Sequence, residues 1–238
     1  TITATGCELV IAISTNHWQL PPLSSETETI RCQNMPGVIK KVVIFGATGS
    51  TGLATVEAAI KKGYEVTAFL RDKAKLGNVT PQNIVQGDVL NKDDVSKAVE
   101  NQDGVIIVLG TRNDLSPTTM MSEGTKNILE AMKNHNVKNV TCCISSFLFW
   151  EREKVPKPYI PITEDHERML QALKECDRNW VAVLPPHIAD EPARGNYAIK
   201  NEAAVGRVIS KYDLAEILVN CLTTEEHFGH YVGIGYPQ

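Results

Sequence analysis

Val42-Val43-Ile44-Phe45-Gly46-Ala47-Thr48-Gly49-Ser50-Thr51-Gly52-Leu53 decides the fold. Four β-branched or aromatic residues in a row read as a strand buried on both faces. Gly46 ends that strand. Beyond it, Leu53, Val56, Ala59 and Ile60 fall at helical spacing over 51–62, and Gly63 supplies a stop. Strand, glycine turn and helix in that order open a parallel βαβ unit.

The alternation continues along the chain. Strands are expected over 40–45, 66–70, 83–85, 105–109, within 137–145 and over 180–184. Helices are expected over 51–62, 93–99, 117–134, 162–175 and 213–221. Buried strands alternating with helices predict a single-domain α/β, Rossmann-type fold, a doubly wound parallel sheet with helices on both faces. Residues 147–161 and 185–206 are long connections that follow the fifth and sixth strands. Ligands of open α/β sheets bind outside the carboxyl ends of strands, so both are expected to build the substrate side.

Ahead of this domain, residues 1–34 show no sustained periodicity, and the first Met is Met35. Two readings stand: a leader preceding a domain over 35–238, or an N-terminal extension docked on it.

Composition narrows the function. The 238 residues are 42% hydrophobic and 22% charged, which suits a globular domain and not a disordered chain. A net charge of −4 argues against a broad nucleic-acid face. The chain contains no apolar run of membrane-spanning length. The six cysteines form no C-x-x-C pair, and adjacent Cys142 and Cys143 read as reduced thiols of a cytoplasmic protein. The scattered histidines predict no metal site.

The glycine turn carries the first chemistry. Gly46, Gly49 and Gly52 are spaced G-x-x-G-x-x-G between a buried strand and an amphipathic helix. Such glycines let backbone approach a pyrophosphate, and the helix N-terminus offers free N–H groups and a positive dipole end. Thr48, Ser50 and Thr51 add hydroxyls. The same pattern without a ligand would be a plain turn. No Gly-Lys-Ser/Thr follows, so a P-loop is not expected.

The end of the second strand bears on the choice of dinucleotide. An acidic residue about 20 positions on would bond a ribose 2′-OH. Here Arg71 stands 19 residues after Gly52, with Lys75 close behind. A guanidinium there suits a 2′-phosphate, predicting NADPH over NADH. Asp72 as the ribose acid is the competing reading. Asp88 either meets the adenine amino group or caps the next helix.

Several runs are similar to one family. They are the glycine turn, Leu109-Gly110-Thr111-Arg112-Asn113-Asp114-Leu115-Ser116-Pro117-Thr118-Thr119, Ser145 with Phe147 and Trp150, Thr163-Glu164-Asp165-His166, Pro185-Pro186-His187-Ile188 and Arg207-Val208-Ile209-Ser210-Lys211. Together they resemble the NADPH-dependent flavin reductases, or biliverdin-IXβ reductases, atypical short-chain dehydrogenases of haem catabolism. The resemblance runs from Val38 to the C-terminus.

It implies a monomer that passes hydride from NADPH to FMN, FAD, riboflavin or biliverdin IXβ. It implies cofactor contacts from Gly46, Thr48, Gly49, Ser50, Thr51, Arg71, Lys75, Asp88, Val89, Leu109, Gly110 and Arg112. Met121, Cys143 and His166 would reach the nicotinamide half. Ser145 and His187 would be catalytic, and with Phe147 and Arg207 they would mark the acceptor side. Two departures stand out: Ala74 replaces a hydroxyl residue, and the stretch 156–159 lacks the family's arginine.

Each candidate has a plainer reading. Ser145 also fits a turn cap and His187 a loop histidine. His166 fits a satisfied helix histidine, and Phe147, Phe149 and Trp150 fit a core. Arg112, Arg152, Lys154, Lys157 and Arg207 fit ordinary surface charge. Short-chain dehydrogenases of the Tyr-dependent kind need Tyr-x-x-x-Lys, and none of the six tyrosines has Lys four residues on. A sugar-nucleotide epimerase is therefore disfavoured. A non-catalytic NADP-sensing regulator stays open beside the reductase.

Overall fold

The computed structural model describes residues 39–237. The leader or extension expected at 1–34 lies outside the described residues.

Among the described residues, ten strands and five α-helices follow in chain order. They are β1 (Lys41–Phe45), α1 (Ser50–Lys61), β2 (Glu65–Leu70), β3 (Asn83–Gln86), α2 (Lys92–Val99), β4 (Gly104–Ile107), α3 (Met120–Asn134) and β5 (Asn139–Cys143). Then come α4 (Ile160–Glu175), β6 (Asn179–Leu184), β7 (His187–Ala189), β8 (Ala198–Asn201), β9 (Val208–Ser210), α5 (Lys211–Asn220) and β10 (His230–Gly235). The main sheet runs β3-β2-β1-β4-β5-β6-β10-β8, parallel except for the antiparallel edge strand β8. The order reverses direction at β1 and β4, the topological switch point of a Rossmann-type sheet.

Side chains of β1 alternate between two cores. Val42 and Ile44 pack with Val56 and Ala59 of α1 and Leu214, Ile217 and Leu218 of α5. Val43 and Phe45 face the other way, into Ile128 and Met132 of α3 and Met169 and Leu173 of α4. This double burial is why the strand reads as a continuous apolar run. Gly63 closes α1 with φ +94, and Tyr64 N–H reaches Ala59 O at 3.1 Å in the pattern of a Schellman cap.

Three expectations need correction. α3 begins at Met120, so residues 117–119 stay in the preceding loop. β4 stops at Ile107, short of Leu109. The connection over 185–206 is partly regular: β7 pairs with β9 in a small parallel ribbon and β8 joins the main sheet.

β10 carried no legible signal, although it lies inside the sheet between β6 and β8. Its sequence, His230-Tyr231-Val232-Gly233-Ile234-Gly235, is interrupted by glycines that propensity counts against a strand. Packing requires one of them, because a Cβ on Gly233 would lie 2.0 Å from the Ala203 carbonyl oxygen. Gly233→Ala should therefore destabilise the fold by about 1–3 kcal/mol or more through overpacking against backbone. A denaturant midpoint that does not move would show that the segment at Ala203 does not seat there.

Candidate functional site

Because β1, β2, β4, β5 and β6 run parallel, their carboxyl ends share one edge. The glycine turn leaves β1 at this edge. Gly46 has φ +83, and a Cβ there would sit 2.1 Å from the Val108 carbonyl oxygen. A Cβ on Gly52 would lie 2.1 Å from Gly46 O, so α1 touches the turn it follows. Gly49 is different: its nearest neighbour, Gly46 O, would be 3.6 Å away, which leaves open space above it. Gly49 is also the N-cap of α1 and provides no side-chain cap, so the first-turn N–H groups face that space without one. Open room over a helix N-terminus fits a dinucleotide pyrophosphate.

A cavity of about 260 Å³ adjoins this turn, lined by Arg71 from the end of β2 and by Gly110, Thr111, Arg112, Asp114 and Thr118 from the loop after β4. Arg112 and Asn113 take φ values of +56 and +70. Asp114 N–H closes the turn onto Thr111 O at 3.2 Å, the pattern of a type I′ turn. A non-glycine residue in this region costs roughly 1–3 kcal/mol, so neighbouring bonds must hold it. Thr111 Oγ1 donates to Asp114 O at 2.6 Å, and Arg112 Nη2 donates to Thr48 Oγ1 at 3.1 Å. The strained arginine thus bridges to the glycine turn. Asp114 also accepts from Ser116, which holds its carboxyl below the usual range.

Arg71 is exposed, and its backbone O accepts from Gln86 Nε2 at 3.0 Å. Asp72 is occupied locally, accepting from Ala74 N and standing 3.9 Å from Lys75 Nζ. That arrangement disfavours Asp72 as a ribose acid, while its contact with Lys75 is a weak, exposed pair. Asp88 is exposed and accepts from Leu90 N at 2.9 Å. The cap of α2 is Asn91, which accepts from Asp93 and Asp94 N–H, so the capping role considered for Asp88 falls away. Val89 and Leu109 are floor residues, since a Cβ on Gly124 of α3 would meet both within 3.2 Å.

The residues expected on the acceptor side follow β5 and β6. Ser145 is partly buried, and its Oγ accepts from Phe147 N at 3.3 Å, capping the 3₁₀ turn Ser146–Phe149. Ser146 N reaches Pro185 O at 3.0 Å, joining this turn to the end of β6. His187 is exposed and pairs in register with Val208, which puts Arg207 one residue from it across the ribbon. The structure therefore gathers Ser145, His187 and Arg207 at one corner. Phe147 leans away, packing 5.2 Å from Trp150 and 5.3 Å from Tyr159. It lines a second cavity of about 220 Å³ against α4. Arg152 pairs with Glu164 and Glu167, and Lys154 with Glu151.

Met121 and Cys143 are buried in the cores beneath the edge. Burial pushes the Cys143 thiol up to about 12 and raises Cys142 as well, so both stay protonated and unreactive. His166 is partly exposed, but its Nδ1 is buried without a protein partner. Sequence reasoning did not single out Arg168, nor what its neighbour Asp165 does. Asp165 is fully buried and accepts from Met121 N at 3.1 Å and Ser122 N at 3.4 Å, capping α3 from α4. Arg168 donates to Asp165 Oδ1 at 3.0 Å and to Thr118 O at 2.8 Å. An acid and an arginine three apart on a helix is too common a pattern to flag.

Burial pulls the His166 pKa down from 6.5 to about 4, against a smaller opposing pull from Asp165. The unfolded chain takes up this proton near pH 6.5, so the associated stability is complete above that pH and is lost as pH falls towards 4. His166→Gln should flatten the stability–pH curve across that window by up to about 1.4 kcal/mol per pH unit. Parallel curves for variant and parent would contradict a ring held neutral in the folded state.

Comparison with known proteins bears on the family and the fold. Residues 46–225 match the NAD(P)H-binding family. An uncharacterized chloroplastic protein of Arabidopsis thaliana is 26% identical over 79% of this chain and 73% of its own. An N-acetyl-glucosaminyl-diphospho-undecaprenol 4-epimerase of Escherichia coli O157:H7 is 27% identical over 70% of this chain, which spans only 54% of that enzyme. Among solved structures, a Rossmann-fold NAD(P)-binding family protein of Shigella flexneri superposes with TM-score 0.67 at 25% identity, covering 84% of this chain and 95% of that one. A Veillonella parvula short-chain dehydrogenase/reductase in complex with NADP gives 0.68 at 16% identity, covering 84% and 96%. ChuY, an anaerobillin reductase of Escherichia coli O157:H7, gives 0.70 at 16%, covering 84% and 98%. With the match covering most of the sequence, the chain belongs to the NAD(P)H-binding family and carries its Rossmann fold.

Proposed function

We propose that this chain is an NADPH-dependent reductase of flat, conjugated acceptors: flavins, and biliverdin IXβ, which it takes to bilirubin IXβ. The make-up of the strand-end edge carries this reading. On the cofactor side, Arg71 and Arg112 share one cavity beside the glycine turn. Neither has a carboxylate partner among the described residues, whereas Lys75 has Asp72. Two unpaired guanidinium groups suit a ligand with a pyrophosphate and a 2′-phosphate.

On the acceptor side, no Tyr-x-x-x-Lys pair is available to deliver a proton. Ser145 Oγ already caps a turn as an acceptor, and a serine hydroxyl is a poor acid. When bound, NADPH supplies a hydride to an electrophilic ring position. The accompanying proton can come from water, so the protein's task is placement. Ser145 would mark the floor of the acceptor site, and His187 and Arg207 a cationic rim for carboxylates or phosphates. The fold shared with an anaerobillin reductase supports a tetrapyrrole acceptor. The absence of the Tyr–Lys pair disfavours epimerase chemistry.

Turnover separates this reading from a nucleotide-sensing regulator. NADPH absorbance should fall when FMN or biliverdin is added; binding of NADPH without oxidation by either acceptor would favour the regulator. Stereospecifically deuterated NADPH should pass label from one face only, and scrambled label would contradict a fixed complex.

Arg71→Ala should weaken NADPH about ten- to a hundredfold while leaving NADH nearly unchanged, the worth of one charge-assisted bond. Equal loss for both nucleotides would reject the 2′-phosphate assignment. Ser145→Ala should lower kcat modestly and unequally for FMN and biliverdin, and His187→Ala should mainly raise KM. A tuned acid is worth roughly 10²–10⁴-fold, so losses beyond about 10³-fold in both variants, equal across acceptors, would restore an acid–base pair.

A further inference from the structure

The loop from Thr111 to Thr119 forms one wall of the cofactor-side cavity, yet most of its residues are exposed and it buries little apolar surface. Its first half is held by the turn at Arg112 and Asn113. Its second half ends at α3, whose own N-cap, Thr119, makes no side-chain cap bond. Within the loop Thr118 Oγ1 accepts from Met120 N at 3.1 Å, and the long-range bonds that fix this end come from α4. Asp165 accepts from Met121 N and Ser122 N, and Arg168 spans Asp165 Oδ1 and Thr118 O. Thr118 and Met120 both line the cavity. Asp165 is fully buried, so its charge needs Arg168 and the two N–H groups together. The Arg168 side chain remains 41% exposed, so changing it does not open the core.

We infer that Asp165 and Arg168 are positioning residues for dinucleotide binding. They clamp the loop from Thr111 to Thr119 onto α4 and so fix the wall facing Arg71. This rests on the chain's NAD(P)H binding and not on the identity of the acceptor. Without the clamp the loop samples other arrangements, and the fraction competent to bind falls. The effect should appear in affinity for the nucleotide half that this wall would face, and not in the reaction rate once cofactor saturates.

The test uses the full chain with Arg168→Met and Arg168→Lys, and takes 2′,5′-ADP and NADP⁺ as probes in calorimetry. Arg168→Met should raise Kd for both about tenfold, and the lysine variant, which keeps the charge but loses the fork, should fall between it and the parent. If NADPH is turned over, kcat at saturating NADPH should stay within about twofold of the parent. A purely structural role would lower the melting temperature while leaving Kd of the folded protein unchanged, and that result overturns the inference. Unchanged Kd for 2′,5′-ADP with a lowered kcat overturns it equally, by placing Arg168 elsewhere. Asp165→Asn keeps an acceptor for both N–H groups and serves as the second probe; a folded variant with parental Kd also refutes the clamp.

Discussion

At Gly46 the backbone of the glycine turn packs directly against that of Val108. No side chain fits between them, since a Cβ would lie 2.1 Å from the Val108 carbonyl oxygen. That contact joins the end of β1 to the end of β4, where the strand order reverses. Gly52 repeats the constraint one turn later against Gly46 O. Together they set α1 tight on the sheet and aim its first-turn N–H groups at the strand-end edge. The room above Gly49 follows, because the chain on either side is drawn inward.

The charge pattern builds on this placement. α2 and α5 are capped by their own Asn91 and Ser210, and α3 is capped by Asp165 of α4. α1 begins on a glycine with no side-chain cap, so the positive end of its dipole stays open to a ligand. Arg71 and Arg112 stand at the same edge. A protein with net charge −4 thus concentrates positive potential where an anionic dinucleotide would bind.

The parts legible in sequence are those where one short pattern has one physical cause. The apolar run of β1 reports burial on both faces, and the glycine spacing reports backbone contact. Ser145 resisted reading because a turn cap and a site residue look alike in sequence, and here the hydroxyl does cap. β10 was hidden because its glycines answer to carbonyls about 30 residues earlier, Gly233 to Ala203 and Gly235 to Val205. The role of Asp165 has no local sign, because its partners, Met121 and Ser122, lie more than 40 residues away. Long-range satisfaction of buried polar groups leaves no local period to find.

Two polar loops show why such groups are needed. The loops over 111–119 and 190–196 carry mostly exposed residues, so apolar burial cannot hold them in one arrangement. Each is pinned by a fully buried carboxylate. Asp165 takes two N–H groups at the start of α3, and Asp213 takes Arg194 N at 2.8 Å and Gly195 N at 3.2 Å. Each carboxylate has one further donor, Arg168 for Asp165 and the Tyr236 hydroxyl for Asp213. A buried carboxylate left short of donors is costly, so either loop can move only by breaking several bonds at once. Loops fixed this way can stay polar towards their ligand and still hold a shape. The fold can therefore keep exposed, charged walls at its strand ends without a rigid apolar lining.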